Sequence, residues 1–133
     1  MDDMHDMLNW LDEHLGNDDL PFIARALFDL DHENLAGSIK RRRYEELLKW
    51  AFRRKRLRPI ASMIHVADTM YPRMTIDEIR TLAFDLAIDL ERIGGRTTKE
   101  SLLCKIYCAL VQSNTVEQLA AWIKVNRPDI PLQ

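Results

Sequence analysis

The stretch Lys40-Arg-Arg-Arg-Tyr-Glu-Glu-Leu-Leu-Lys-Trp-Ala-Phe-Arg-Arg-Lys-Arg-Leu-Arg58 decides how this chain folds. Its apolar residues Tyr44, Leu47, Leu48 and Ala51 recur at helical spacing, which predicts a helix over about Ile39 to Lys55 with one buried stripe. On the same helical wheel Arg42, Lys49, Arg53 and Arg56 cluster on the opposite side, interrupted by Glu46. That basic face must meet water or a partner.

The same grammar extends in both directions. Upstream, Met4, Met7, Leu8, Leu11 and Leu15 share one helical face and Gly16 follows as a stop. Pro21 suits the opening turn of a second helix carrying Ile23, Leu27 and Leu30, and Asn34 to Gly37 mark a turn. Downstream, a fourth helix carries Ile60, Met63, Ile64 and Ala67 until Pro72, with Pro59 early enough to be tolerated. Thr75 with Glu78, Thr97 with Glu100, and Thr115 with Gln118 then have capping-box spacing, which predicts three more helix starts. No segment alternates with the two-residue period of a half-buried strand, so the fold is expected to be all-α.

Composition narrows the class. The chain has 133 residues, 47% apolar and 30% charged, with a net charge of −2, which fits one domain or two very small ones. No apolar run of about 18 residues exists to cross a bilayer, and the acidic start (Asp2, Asp3, Asp6) lacks the basic character of a targeting signal. A cytoplasmic protein without membrane contact is expected. Cys104 and Cys108 stand four apart in an apolar helical pattern, which is neither a disulfide framework nor a CxxC motif.

Charge is strongly segregated. Residues 1–34 carry ten acidic side chains against the single Arg25, whereas residues 40–58 carry ten basic ones against Glu45 and Glu46. From residue 66 onward the signs nearly cancel, so a charge-driven function belongs to the first half.

The second half also repeats the first. Ile23, Phe28, Asp29 and Leu30 coincide with Ile79, Phe84, Asp85 and Leu86, and Phe-Asp-Leu is identical in both. After a longer loop, Tyr44, Leu47, Leu48, Ala51, Ile60 and Ile64 fall on Leu103, Ile106, Tyr107, Leu110, Leu119 and Ile123. Gly37 and Gly95 occupy corresponding loops, which favours a duplicated unit.

The second copy contains Ile79-Arg-Thr-Leu-Ala-Phe-Asp-Leu, then Asp89-Leu-Glu, Gly94-Gly95, and a helix ending in Tyr107-Cys-Ala-Leu. It closes on Leu119-Ala-Ala-Trp-Ile-Lys-Val-Asn-Arg-Pro-Asp-Ile. Together these resemble the bacterial effector-associated domains of the death-like superfamily over residues 75–131, with a more diverged copy over 20–72. The resemblance implies two tandem death-like helical bundles, residues 1–72 with the acidic helix and the basic helix, and residues 73–133, either separate or sharing one core. It also implies a non-catalytic adaptor or regulator in a bacterial defence or signalling system. Such an adaptor would bind an effector protease or nuclease, or a sensor ATPase, that carries a similar helical domain. No effector or ATPase is fused here, and the second copy shows fewer helices than a complete death-like bundle.

On this reading the protein-binding residues are Arg42, Lys49, Arg53 and Arg56 with the apolar anchors Trp50 and Phe52, and the acidic Asp18, Asp19, Asp31 and Glu33. Acidic and basic surfaces on different sides would let copies stack head to tail. Alternatively, the two segments satisfy each other within one chain. In the second copy the basic stripe becomes Ser101, Lys105, Cys108 and Gln112, so the copies bind different things or this neutral face packs on the first half.

The best rival is a nucleic-acid-binding regulator that uses the basic helix 40–58, with arginines on phosphates and aromatics on bases. A sequence pI near 6.1 and the acidic residues immediately upstream argue against it. No enzyme, metal or cofactor is expected. His5, His14, His32 and His65 have no ligand spacing and read as surface or capping residues. Gly94-Gly95-Arg96-Thr97-Thr98-Lys99 lacks the P-loop spacing and reads as a turn and cap, although its amides could hold an anion. Most methionines read as core filler, with a peptide groove as the alternative.

Overall fold

The computed structural model describes residues 3–132, so the expected contribution of Asp2 lies outside the described residues. Its eight helices are α1 (Met4–His14), α2 (Leu20–Phe28), α3 (Lys40–Arg53), α4 (Arg58–Met70), α5 (Ile76–Asp85), α6 (Leu90–Ile93), α7 (Lys99–Gln112) and α8 (Glu117–Asn126). Short 3-10 turns stand at residues 17–19, 32–34 and 71–73, and no strand occurs among the described residues. The chain is all-α, and no helix among the described residues is long and apolar enough to cross a membrane.

The boundaries follow local chemistry. Asp3 caps α1 by accepting from the His5 amide at 3.0 Å, and Pro21 sits in the first turn of α2. Thr75 and Glu78 form the expected reciprocal capping box at α5. The other two boxes do not form. At α7 the cap is Thr98, which accepts from the Ser101 amide at 3.3 Å, while Glu100 turns to His14 Nδ1 at 2.9 Å. At α8 the cap position is Val116, and the Thr115 hydroxyl bonds Ser113 at 2.6 Å instead of an amide of the helix. The second helix stops at Phe28, because Asp29 adopts a left-handed conformation (φ 52°) steadied by Arg25 at 2.9 Å.

One helix span and its end turn recur in both halves. α3 begins at residue 40 and α7 at 99, and both run for 14 residues. Beyond them Lys55 and Asn114 are both left-handed, at φ 57° and 59°. In each case the next amide closes back at 2.8 Å, from Arg56 to the Ala51 carbonyl and from Thr115 to the Leu110 carbonyl. The packing of these two helices nevertheless differs. α3 buries one stripe, Tyr44, Leu47, Leu48 and Ala51, whereas every residue of α7 from Ser101 to Cys108 is buried. α7 packs against α2, α4, α5, α6 and α8, while α1 covers α3 and α4. The buried apolar side chains of both halves thus form one contiguous core. Burial of each large aliphatic side chain there contributes about 1.5–3 kcal/mol.

Of the neutral face of α7, Ser101, Lys105 and Cys108 face inward while Gln112 is exposed, and the Cys108 sulfur lies 3.4 Å from that of Met63. Lys105 is 1% exposed and Asp19 is equally buried, with Nζ 3.3 Å from Oδ1. Lys105 also donates to the carbonyls of Gly94 (2.7 Å) and Arg96 (2.6 Å). Asp19 accepts from the amides of Gly16 (2.8 Å) and Arg96 (3.0 Å). The Tyr44 hydroxyl donates to the Gly16 carbonyl at 2.8 Å, so α3 joins the same network. Each charge therefore has hydrogen-bonding partners beyond its counter-ion, as a buried pair requires. The amide of the Gly94–Lys99 loop does hold an anion, and that anion is the chain's own Asp19.

Gly95 makes this clasp possible. Its φ is +86°, and a Cβ there would collide with Asp19 Oδ1 and lie 2.9 Å from Lys105 Nζ. Gly95→Ala is expected to destabilise the protein by about 1–3 kcal/mol through strain and displacement of the pair. Urea denaturation measures this directly, and an unchanged midpoint would mean that the loop yields freely.

The C-terminal segment is tied down by the motif Arg127-Pro128-Asp129-Ile130. Arg127 reaches Glu78 at 2.6 Å and Asp129 at 2.9 Å, and Ile130 is buried. The Thr75 amide, followed by Arg127, holds the Glu78 carboxyl below its ordinary range. A depressed carboxylate pKa stabilises the fold above the unfolded-state value, and the contribution is lost as pH falls through the folded-state value. Glu78→Gln should accordingly lower the melting temperature at neutral pH and converge with wild type in acid. A difference that persists below the carboxylate range would assign the effect to packing.

Candidate interaction surface

The two ends of α3 have different electrostatic environments. At its start, Lys40 caps the end of α1 by donating to the carbonyls of Asp12 (2.7 Å) and Leu15 (3.0 Å). Arg41 bonds Asn9 at 2.9 Å and Asp12 at 3.3 Å, and Arg43 reaches Asn17 and His32. Arg42, exposed on the stripe, lies 3.4 Å from Glu46 and 3.9 Å from Glu45 of its own helix. This end is largely neutralised within the chain.

The other end is not. Lys49, Arg53, Arg54, Lys55, Arg56 and Arg58 have no carboxylate within 4.0 Å among the described residues. Phe52 stands among them at 61% exposure. Trp50 is half-buried, its ring 5.3 Å from Phe28 on one side with the Arg54 guanidinium 4.1 Å away. It is already engaged, which leaves Phe52 as the available anchor.

Arg56 departs from the expected stripe. The helix ends at Arg53 and the left-handed Lys55 reverses the chain, so Arg56 lies 5.2 Å over the Phe28 ring and within 3.5 Å of the Leu27 carbonyl. The open stripe therefore comprises Lys49 and Arg53, with Arg42 partly neutralised.

Among the acidic candidates, Asp18, Asp31 and Glu33 are exposed, and Asp31 also caps the 3-10 turn by accepting from the Glu33 amide at 3.0 Å. Asp19 is not a surface residue. Its carboxylate lies inside the core, where Lys105 and two amides compensate it. The contact between Arg43 and His32 draws residues 31–33 alongside the first turn of α3, so part of the acidic segment lies beside the start of the basic helix.

Of the four histidines, His5 and His65 are exposed, and the other two have structural partners. His14 stacks against Trp10 with ring centroids 4.6 Å apart, and His32 is held by Arg43. Burial pushes the Cys104 and Cys108 thiols upward, away from the thiolate form that a nucleophile requires. No group of three or more metal-ligating side chains occurs among the described residues.

One exposed feature was not legible in the spacing. Phe84 of α5 is 82% exposed beside a shallow hollow formed by Ala83, Ala87, Ile88 and Leu90. Its counterpart Phe28 is buried. The signal lay in the repeat, where Trp50 and Arg56, which cover Phe28, are replaced by Ala109 and Thr115.

Comparison with family models, curated proteins and solved structures returned no match, so the functional reading rests on this geometry and on the sequence motifs.

Proposed function

We propose that the protein is a non-catalytic adaptor or regulator that docks through the basic end of α3 onto a protein with a similar helical domain. The partner is an effector protease or nuclease, or a sensor ATPase, of a bacterial defence or signalling system, in line with the motif resemblance of residues 75–131. The observation that carries the reading is the group of cations from Lys49 to Arg58, without a carboxylate partner among the described residues, with the exposed Phe52 in its midst along the chain. Charge of this kind steers encounter and selects partners, while a central aromatic contributes much of the affinity.

The test is calorimetric titration with the helical domain of an ATPase or protease encoded beside this protein. Wild type should bind and the Lys49→Glu/Arg53→Glu variant should not. Equal binding by both would remove the α3 end from the proposal.

The same cations, with Phe52, also support a second reading as a nucleic-acid contact. The neutralising acids act mainly at the opposite end of the helix. Fluorescence anisotropy with a single-stranded oligonucleotide separates the two, because phosphate binding weakens steeply as salt rises.

A further inference from the structure

We infer that the Phe84 face of α5 is the seat for the basic end of α3 from a second copy of this chain. This inference rests on the reading of that end as a docking surface and names its occupant.

The chain itself shows what covers a phenylalanine at this place in the repeat. Phe28 is shielded by the Trp50 ring at 5.3 Å and the Arg56 guanidinium at 5.2 Å, an aromatic and a cation from the end of α3. α5 has the equivalent phenylalanine without that cover, since Ala109 and Thr115 stand in the corresponding positions and Phe84 is left open. A single exposed apolar residue needs no explanation. Phe84, however, adjoins a hollow walled by Ala83, Ala87, Ile88 and Leu90, which extends the apolar surface.

Charge identifies the occupant. Asp89 and Glu91 line the hollow against one cation, Arg80, and Asp77 lies two turns before Phe84 on the same side of α5. The opposite sign, together with an exposed aromatic, occurs at the end of α3, where Phe52 is flanked by Lys49 and Arg53, which have no ion-pair partners among the described residues. Phe52 of one copy would enter the hollow beside Phe84 of the next, with Lys49 and Arg53 toward Asp89 and Glu91. The two surfaces are different parts of one molecule, so the contact is heterologous. It leaves a free donor and a free acceptor at the ends and propagates unless it closes into a ring.

Sedimentation velocity on the full chain tests this with two variants, each altered only at exposed positions and verified as folded by circular dichroism. The donor variant is Phe52→Ala/Arg53→Glu and the acceptor variant is Phe84→Ser/Glu91→Lys. Each alone should self-associate at least about tenfold more weakly than wild type. Their equimolar mixture should form a dimer that does not grow, because one intact donor meets one intact acceptor and the other ends are closed. A mixture that stays monomeric, an acceptor variant that assembles like wild type, or a wild-type chain monomeric to about 1 mM would each overturn the inference. None of these outcomes decides whether α3 binds the co-encoded helical domain, which the calorimetric titration answers separately.

Discussion

Lys105→Met is expected to lower the unfolding free energy by about 3–5 kcal/mol, the cost of leaving a buried charge without its counter-ion. Methionine fills similar space, so the loss is electrostatic and not a cavity effect. The Asp19 carboxylate keeps the Gly16 and Arg96 amides but loses the ammonium group 3.3 Å away, the Gly94 carbonyl loses its donor, and the Arg96 carbonyl keeps only the Ser101 hydroxyl. Asp19→Asn should cost a similar amount, because it strands the buried Lys105 ammonium and its amide oxygen can replace only one of the two carboxylate acceptors. The double variant Asp19→Asn/Lys105→Met should be more stable than the sum of the single losses implies, since each substitution removes the charge that the other leaves stranded. Urea denaturation of the four proteins measures the coupling. Additive losses would show that the two groups do not act as a pair.

The second large effect concerns association. Lys49→Glu/Arg53→Glu should weaken capture of the helical partner by about 100-fold at physiological salt, since like charges brought together at a contact cost several kcal/mol. Arg53 is exposed and Lys49 half-buried, and neither is in an ion pair among the described residues, so the melting temperature should hardly move. Wild-type binding should also weaken with added salt, while the anchor variant Phe52→Ala should lose affinity with the salt slope nearly unchanged. If charge reversal and alanine substitution both leave binding intact, docking uses another surface.

Helix class and most helix cores were legible because period 3.6 is written directly into Met4 to Leu15 and Ile39 to Ala51. The end of α3 was not, because its reversal depends on a left-handed lysine, a conformation that no residue-type signal announces at Lys55. That reversal removed Arg56 from the stripe. The cap of α7 was read at Thr97 and falls at the adjacent Thr98, a residue of the same type, because the side chain of Glu100 is claimed by His14. Asp19 read as a surface acid because it lies next to Asp18 in a polar run. Its counter-ion comes from residue 105, and no local pattern links positions so far apart. The same limit hid Phe84, whose exposure follows from the small residue at 109.

Residue-resolved native-state hydrogen exchange on wild type and Lys105→Met tests the shared core most directly. If α3 and α7 belong to one core clasped by Asp19 and Lys105, their slowest amides should open with the same free energy in wild type. The variant should lower both by the same amount. Loss of protection confined to α7 and its neighbours, with α3 unchanged, would contradict a single core.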